Sequence, residues 1–265
     1  MPITNLTSTV TLDSNVTLNY RVDGREDAPV VVLSNSLGTD LSLWEPQLPA
    51  FAERFRVVRY DSRGHGNSSA PEGPYSMSEL ADDVVGLLDA LDVPTAHFVG
   101  ISIGGLTGLY LALAHRNRLD KLVVANTAAK IGTPDAWHNR ATVVRDAGVA
   151  SIASGVVEKW LTPDYYAAHP QTVEALENML SGSDDNGYAA TCLALPDADL
   201  REQLTHIAVP TLAIGASQDL PTPPADTRYI AERVPGAAYA ELSAAHISNQ
   251  EAAEEFTRVV LEFLD

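Results

Sequence analysis

Short apolar runs alternate with helical stripes along most of this chain. Residues 9–12 and 16–22 alternate apolar with polar and flank Asp13-Ser14-Asn15, which predicts an antiparallel hairpin with a short turn. Residues 30–33 are apolar throughout and bounded by turn residues, the pattern of a strand buried on both faces. Residues 56–60, 97–99, 122–125 and 211–214 repeat that pattern, and 237–242 predicts the last strand. Between these runs the period becomes helical. Leu80, Val84, Leu87, Leu88 and Leu91 fall on one helical face, and Ser76 with Glu79 has the spacing of a capping box at its start. Residues 106–114 read as another helix, and Phe256, Val260, Phe263 and Leu264 form the stripe of a closing one. Strands alternating with helices predict an α/β fold with a mostly parallel central sheet and helices on both faces.

One stretch breaks the alternation. Residues 130–203 carry helical patterns and no convincing buried strand, and Pro134, Pro163, Pro170, a loop over 181–187 and Pro196 punctuate them. This predicts a helical cap inserted over the C-terminal edge of the sheet. The chain then divides into a first core segment (1–129), the cap (130–203) and a second core segment (204–265).

Composition narrows the class. Hydrophobic residues at 45% and charged ones at 20% suit a globular protein with a sizeable core and argue against disorder. Lys+Arg 17 against Asp+Glu 35 leaves a net charge of -18, which repels phosphate backbones and anionic lipid, so neither nucleic acid nor a membrane is an expected partner. The single cysteine, Cys192, excludes an intrachain disulfide and a Cys-x-x-Cys metal clip, and is expected to be a buried thiol. The first ten residues carry neither a basic start nor an apolar run, so no export signal is expected. The sequons at Asn5, Asn15 and Asn67 then read as chance matches, and the expected location is the cytoplasm.

The candidate chemistry lies in His97-Phe98-Val99-Gly100-Ile101-Ser102-Ile103-Gly104-Gly105. Here Gly-x-Ser-x-Gly follows an apolar strand and precedes a helix, the context a nucleophile elbow needs: the serine occupies a tight, strained turn, and a Cβ on either glycine would collide with its neighbours. In such a fold the acid and the histidine follow the serine in that order. Of the seven histidines only His246 follows the last predicted strand. Asp219, just past the strand at 211–214, is the expected acid, and Asp226 is its competitor, better read as an N-cap or first-turn acid of the next helix. Ser102, Asp219 and His246 are therefore the expected catalytic triad. The oxyanion-hole donors would be the backbone N–H groups of Ile103, after the nucleophile, and by position Leu37, in the loop after the strand at 30–33.

Several segments resemble the 3-oxoadipate enol-lactonases, a bacterial branch of the α/β-hydrolases, over nearly the whole chain. They are residues 33–40 (with Asn35-Ser36 where many hydrolases of this fold carry His-Gly), 60–66, 99–108 and 242–249, and 133–140 in the cap with its Trp137-x-x-Arg140. The Asp-x-Arg-Gly-x-Gly stretch within 60–66 is general to the superfamily and says little about substrate. The resemblance implies hydrolysis of a small anionic enol-lactone to 3-oxoadipate in aromatic catabolism, through an acyl-enzyme and without metal or organic cofactor. Trp137, Arg140 and Trp160 in the cap are candidate substrate-binding residues. The tryptophans read first as packing of the cap and second as substrate contacts, and Arg140 reads equally as the partner of a surface acid or of the substrate carboxylate. Two rival readings keep the fold: a cofactor-free perhydrolase or general esterase, and a binding protein that uses the pocket as a receptor.

Overall fold

A computed structural model describes residues 8–265; the sequon at Asn5 and most of the N-terminal stretch read for an export signal lie outside these. Eight strands form one sheet: β1 (Ser8–Thr11), β2 (Thr17–Gly24), β3 (Val30–Ser34), β4 (Arg56–Tyr60), β5 (Ala96–Ile101), β6 (Leu119–Ala125), β7 (Thr211–Ala216) and β8 (Ala238–Leu242). Their order is β1-β2-β4-β3-β5-β6-β7-β8. Only β2 runs against its neighbours; every pairing from β4 across to β8 is parallel. The expected hairpin is β1 and β2.

Burial explains why the central strands were readable. Val31, Val32, Leu33, Phe98, Val99, Val123 and Val124 are buried, as residues covered on both faces must be. The edge strand β1 stays largely exposed, and β8 at the other edge is only partly covered. Two boundaries differ from expectation for a physical reason. β6 begins three residues before 122, because Asp120 and Lys121 lie where the strand emerges from the core and interrupt its apolar run. β5 continues past 99 through Gly100 and Ile101, which pair with Val124 and Ala125.

The helix Met77–Ala90 starts at the expected capping box: Glu79 N donates to Ser76 Oγ (3.2 Å) and Ser76 N to Glu79 Oε2 (2.8 Å). It packs on the helix Ile103–Ala114, while Leu48–Ala52 packs on Ala253–Leu264, and these two groups flank the sheet. Between β6 and β7 the chain is helical, with no strand. The loop expected over 181–187 is shorter than that. Asp184 accepts from Gly187 N (2.7 Å) and caps a helix, Asp185–Cys192, so the acids that read as loop belong to a helix start. Among the described residues no helix is long and apolar enough to cross a membrane.

The parallel strands deliver five loops to one edge. The chain after β3 (Ser34 onward), β5 (Ser102), β6 (Asn126), β7 (Asp219) and β8 (His246) emerges at their C-terminal ends, where open α/β sheets form their crevices.

Candidate active site

Ser102 has φ 57° and ψ −122°, a left-handed backbone that few non-glycine residues adopt. Two close approaches hold the turn. A Cβ on Gly100 would stand 2.2 Å from the Gly104 carbonyl oxygen, and one on Gly104 would stand 2.4 Å from that of Ser34. The elbow thus closes only with glycine there, and the same contact brings the helix start beside the loop after β3. Ser102 N donates to Ala125 O (2.9 Å) and Thr127 Oγ1 to Ser102 O (2.7 Å), tying the turn to β6.

Ser102 Oγ lies 2.9 Å from His246 Nε2, and His246 Nδ1 lies 2.9 Å from Asp219 Oδ1. All three side chains are buried. An ionised Asp219 only accepts, so Nδ1 carries the ring proton and Nε2 is left to accept from the serine hydroxyl. Burial works against ionising Asp219, but the charge and hydrogen bond of His246, Thr222 N and Asn126 outweigh it and hold its carboxyl below the usual range. Asp226 is in the first turn of the helix Pro224–Arg233, as read from the sequence; burial and the charge of Asp219 push its carboxyl up.

Two polar residues around this chain of contacts, Thr222 and Asn126, were not singled out in the sequence, and a third, Asn35, had no side-chain role there. Thr222 donates from N (2.9 Å) and Oγ1 (2.9 Å) to the two Asp219 oxygens, and its Oγ1 is 3.2 Å from His246 Nδ1. Asn126 Nδ2 donates to Asp219 Oδ2 (2.9 Å). Asn35, which replaces the histidine common in this fold, donates to Tyr60 O (2.8 Å) and accepts from Trp44 Nε1 (2.9 Å), so its side chain braces the loop that carries Leu37. The N–H groups of Leu37 and Ile103 donate to no acceptor among the described residues, although both residues are buried. Both N–H groups are thus free to donate to a bound group.

A cavity of about 600 Å³ opens over Ser102 and His246. Leu37, Trp137, Arg140 and Trp160 line it; Ile103 and Asp219 lie outside its walls. Trp137 stacks under Arg140, whose guanidinium carbon is 5.3 Å from the ring centroid, and its Nε1 donates to Ile131 O (2.6 Å). Trp160 is buried, and its carbonyl accepts from Ile247 N (3.1 Å), beside His246. Lys159, not singled out in the sequence, also lines the cavity, and no Asp or Glu does. Neither cation is paired with a carboxylate among the described residues, so the surface-acid alternative for Arg140 finds no partner. No cluster of ligands for a metal ion occurs among the described residues.

This arrangement can do nucleophilic acyl chemistry, and comparison with known proteins narrows it. The family model of the alpha/beta hydrolase fold matches residues 29–253. The chain is 43% identical to 3-oxoadipate enol-lactonase 2 of Acinetobacter baylyi over 98% of its own length and 97% of the relative's. It belongs to the 3-oxoadipate enol-lactonase family of α/β-hydrolases. Acinetobacter baylyi enol-lactonase 1 is 38% identical over 94% of this chain and 93% of the relative. The crystal structure of the enol-lactonase from Burkholderia xenovorans LB400 superposes with a TM-score of 0.95 at 44% identity, covering 97% of this chain and 99% of that one. Fold and sequence together make this member a hydrolase of lactone esters.

Proposed function

We propose that this enol-lactonase family member opens 3-oxoadipate enol-lactone to 3-oxoadipate, as a step in aromatic-compound catabolism, with Ser102, His246 and Asp219 as its triad. The observation that carries the substrate class is the cavity: in a chain of net charge -18, its charged walls are Arg140 and Lys159, with no carboxylate among them.

Ser102 Oγ attacks the ring carbonyl while His246 Nε2 takes its proton. The charge that develops on the carbonyl oxygen is met by the N–H groups of Leu37 and Ile103 at the helix start. The ring C–O bond breaks, and the enolate that leaves stays tethered to the acyl chain, takes the proton back from His246 and becomes the ketone. His246 then draws a proton from water, which attacks the acyl-enzyme and releases 3-oxoadipate. Asp219 holds the His246 tautomer and stabilises the imidazolium through both steps. Trp137 and Trp160 offer flat apolar walls to the ring, and the helices between β6 and β7 act as the cap (130–203) that excludes water. The net charge disfavours nucleic acid and anionic membrane as partners, in keeping with a cytoplasmic enzyme of small molecules.

Arg140 tests the substrate class. A guanidinium–carboxylate pair shielded from water contributes about 2–4 kcal/mol. Arg140→Ala should then lower kcat/KM on the enol-lactone by roughly 30- to 1,000-fold, at about 1.4 kcal/mol per tenfold. The same variant should hydrolyse p-nitrophenyl acetate nearly as fast as wild type, since that ester has no carboxylate. Equal losses on both would make Arg140 a packing residue, and no loss on either would remove it from the site.

A further inference from the structure

We propose that Asn126, held by Ser248, is a positioning residue that fixes the Asp219 carboxylate and the His246 loop relative to each other. The proposal rests on the triad reading above and extends it to two residues whose side chains lie outside the reacting chain of contacts.

Asn126 follows β6, and both it and Ser248 are fully buried. Its Nδ2 faces two groups that can only accept, Asp219 Oδ2 at 2.9 Å and Ala245 O at 3.2 Å. That decides the orientation of the amide, because the flipped form would set oxygen against both. Its Oδ1 must then accept, and Ser248 Oγ donates to it at 2.6 Å. One carboxamide thus joins the acid to the backbone just before His246 and to the side chain two residues after it. Asn126 N also donates to Ile214 O (2.8 Å), so the amide is anchored to β7, the strand that carries Asp219. An apolar residue here would leave a buried carboxylate oxygen and a carbonyl short of a donor.

Asn126 has φ 48°, which asparagine tolerates for backbone reasons alone, so a test must separate backbone from side chain. Asn126→Asp does this, because aspartate tolerates the same φ and keeps the size. At low pH the new carboxyl is protonated and can donate to Asp219 Oδ2; as it ionises, two carboxylates face each other. The rate of Asn126→Asp relative to wild type on the enol-lactone should therefore fall as pH rises from about 5 to 8. Ser248→Ala, which frees the amide without adding charge, should lower kcat roughly 3- to 30-fold with KM within about twofold, at unchanged circular dichroism. It should also shift the low-field NMR signal of the His246 Nδ1 proton.

Ser102→Ala is run beside them. If it is inactive while both other variants stay within about twofold of wild type at every pH, the positioning role is wrong and the triad stands. A pH-independent loss that tracks lower thermal stability would make Asn126 merely structural and also overturn the proposal. Should Ser102→Ala keep its activity, the triad reading itself fails.

Discussion

Asp219 and Asp226 flank one loop and differ in what surrounds them. Burial penalises the charge of both, but only Asp219 has His246, Thr222 and Asn126 to offset it. Its carboxyl, held below the ordinary value near about 3.9, adds stability that is full above that value and is lost as pH falls through the folded one. Asp219→Asn should lower kcat on the enol-lactone by about 10⁴-fold, because the ring would settle in the wrong tautomer. Asp226→Asn should stay within about threefold, since the carboxylate hydrogen-bonded to His246 is that of Asp219. Steady-state rates of the two variants decide it; the reverse order would mean that the acid had been misassigned. Ser102 and His246 were legible as a pair because the elbow's glycines and the order along the chain depend only on sequence neighbours. The side-chain roles of Asn126, Thr222 and Asn35 were not legible. Asn126 and Asn35 bond residues that only the sheet brings near, whereas Thr222 bonds Asp219 three residues before it, through a turn that the proline-flanked loop does not announce.

At the scale of elements, the sheet places the reacting groups and the helical insert walls them in. One carboxylate joins the two. Glu251, on the short helix Ser248–Glu251, accepts from Thr162 N (3.2 Å), Thr162 Oγ1 and Ala245 N (3.0 Å). It therefore clasps the insert, two residues past Trp160, to the backbone just before His246. Glu251→Ala strands those donors in a partly buried place and should cost about 1–3 kcal/mol, or a fall in Tm of several degrees. Thermal unfolding checks this, with Glu251→Gln losing less than Glu251→Ala; an unchanged Tm would show that Ile247 N to Trp160 O and Tyr165 Oη to Gln250 O hold the join without it. The core strands and the helix Met77–Ala90 were readable because period and capping agree there. The first turn of Asp185–Cys192 and the start of β6 were obscured by polar residues, and nothing in the sequence around Glu251 sets it apart from the other acids.

At the scale of the whole molecule, charge and function pull in opposite directions. A net charge of -18 repels an anionic lactone, yet distant charges are screened beyond about 8 Å in physiological salt, while Arg140 and Lys159 stand in the cavity wall itself. On the proposed reading the near cations outweigh that field at contact, so that an acidic enzyme can take an acidic substrate. The overall fold was legible because the alternation of runs and stripes leaves few topologies; of the cavity's two cations Arg140 was expected and Lys159 was not, because its place depends on which side chains the insert turns toward Ser102. The account stands most directly on one assay: consumption of 3-oxoadipate enol-lactone, followed by the ultraviolet loss of its conjugated enol ester, with purified wild type and Ser102→Ala. Wild type should consume the lactone, and the variant should be slower by at least about 10³-fold, with the oxyanion donors and binding supplying the remainder. A wild-type protein that leaves the lactone intact, or a variant that keeps a tenth of the rate, would contradict it.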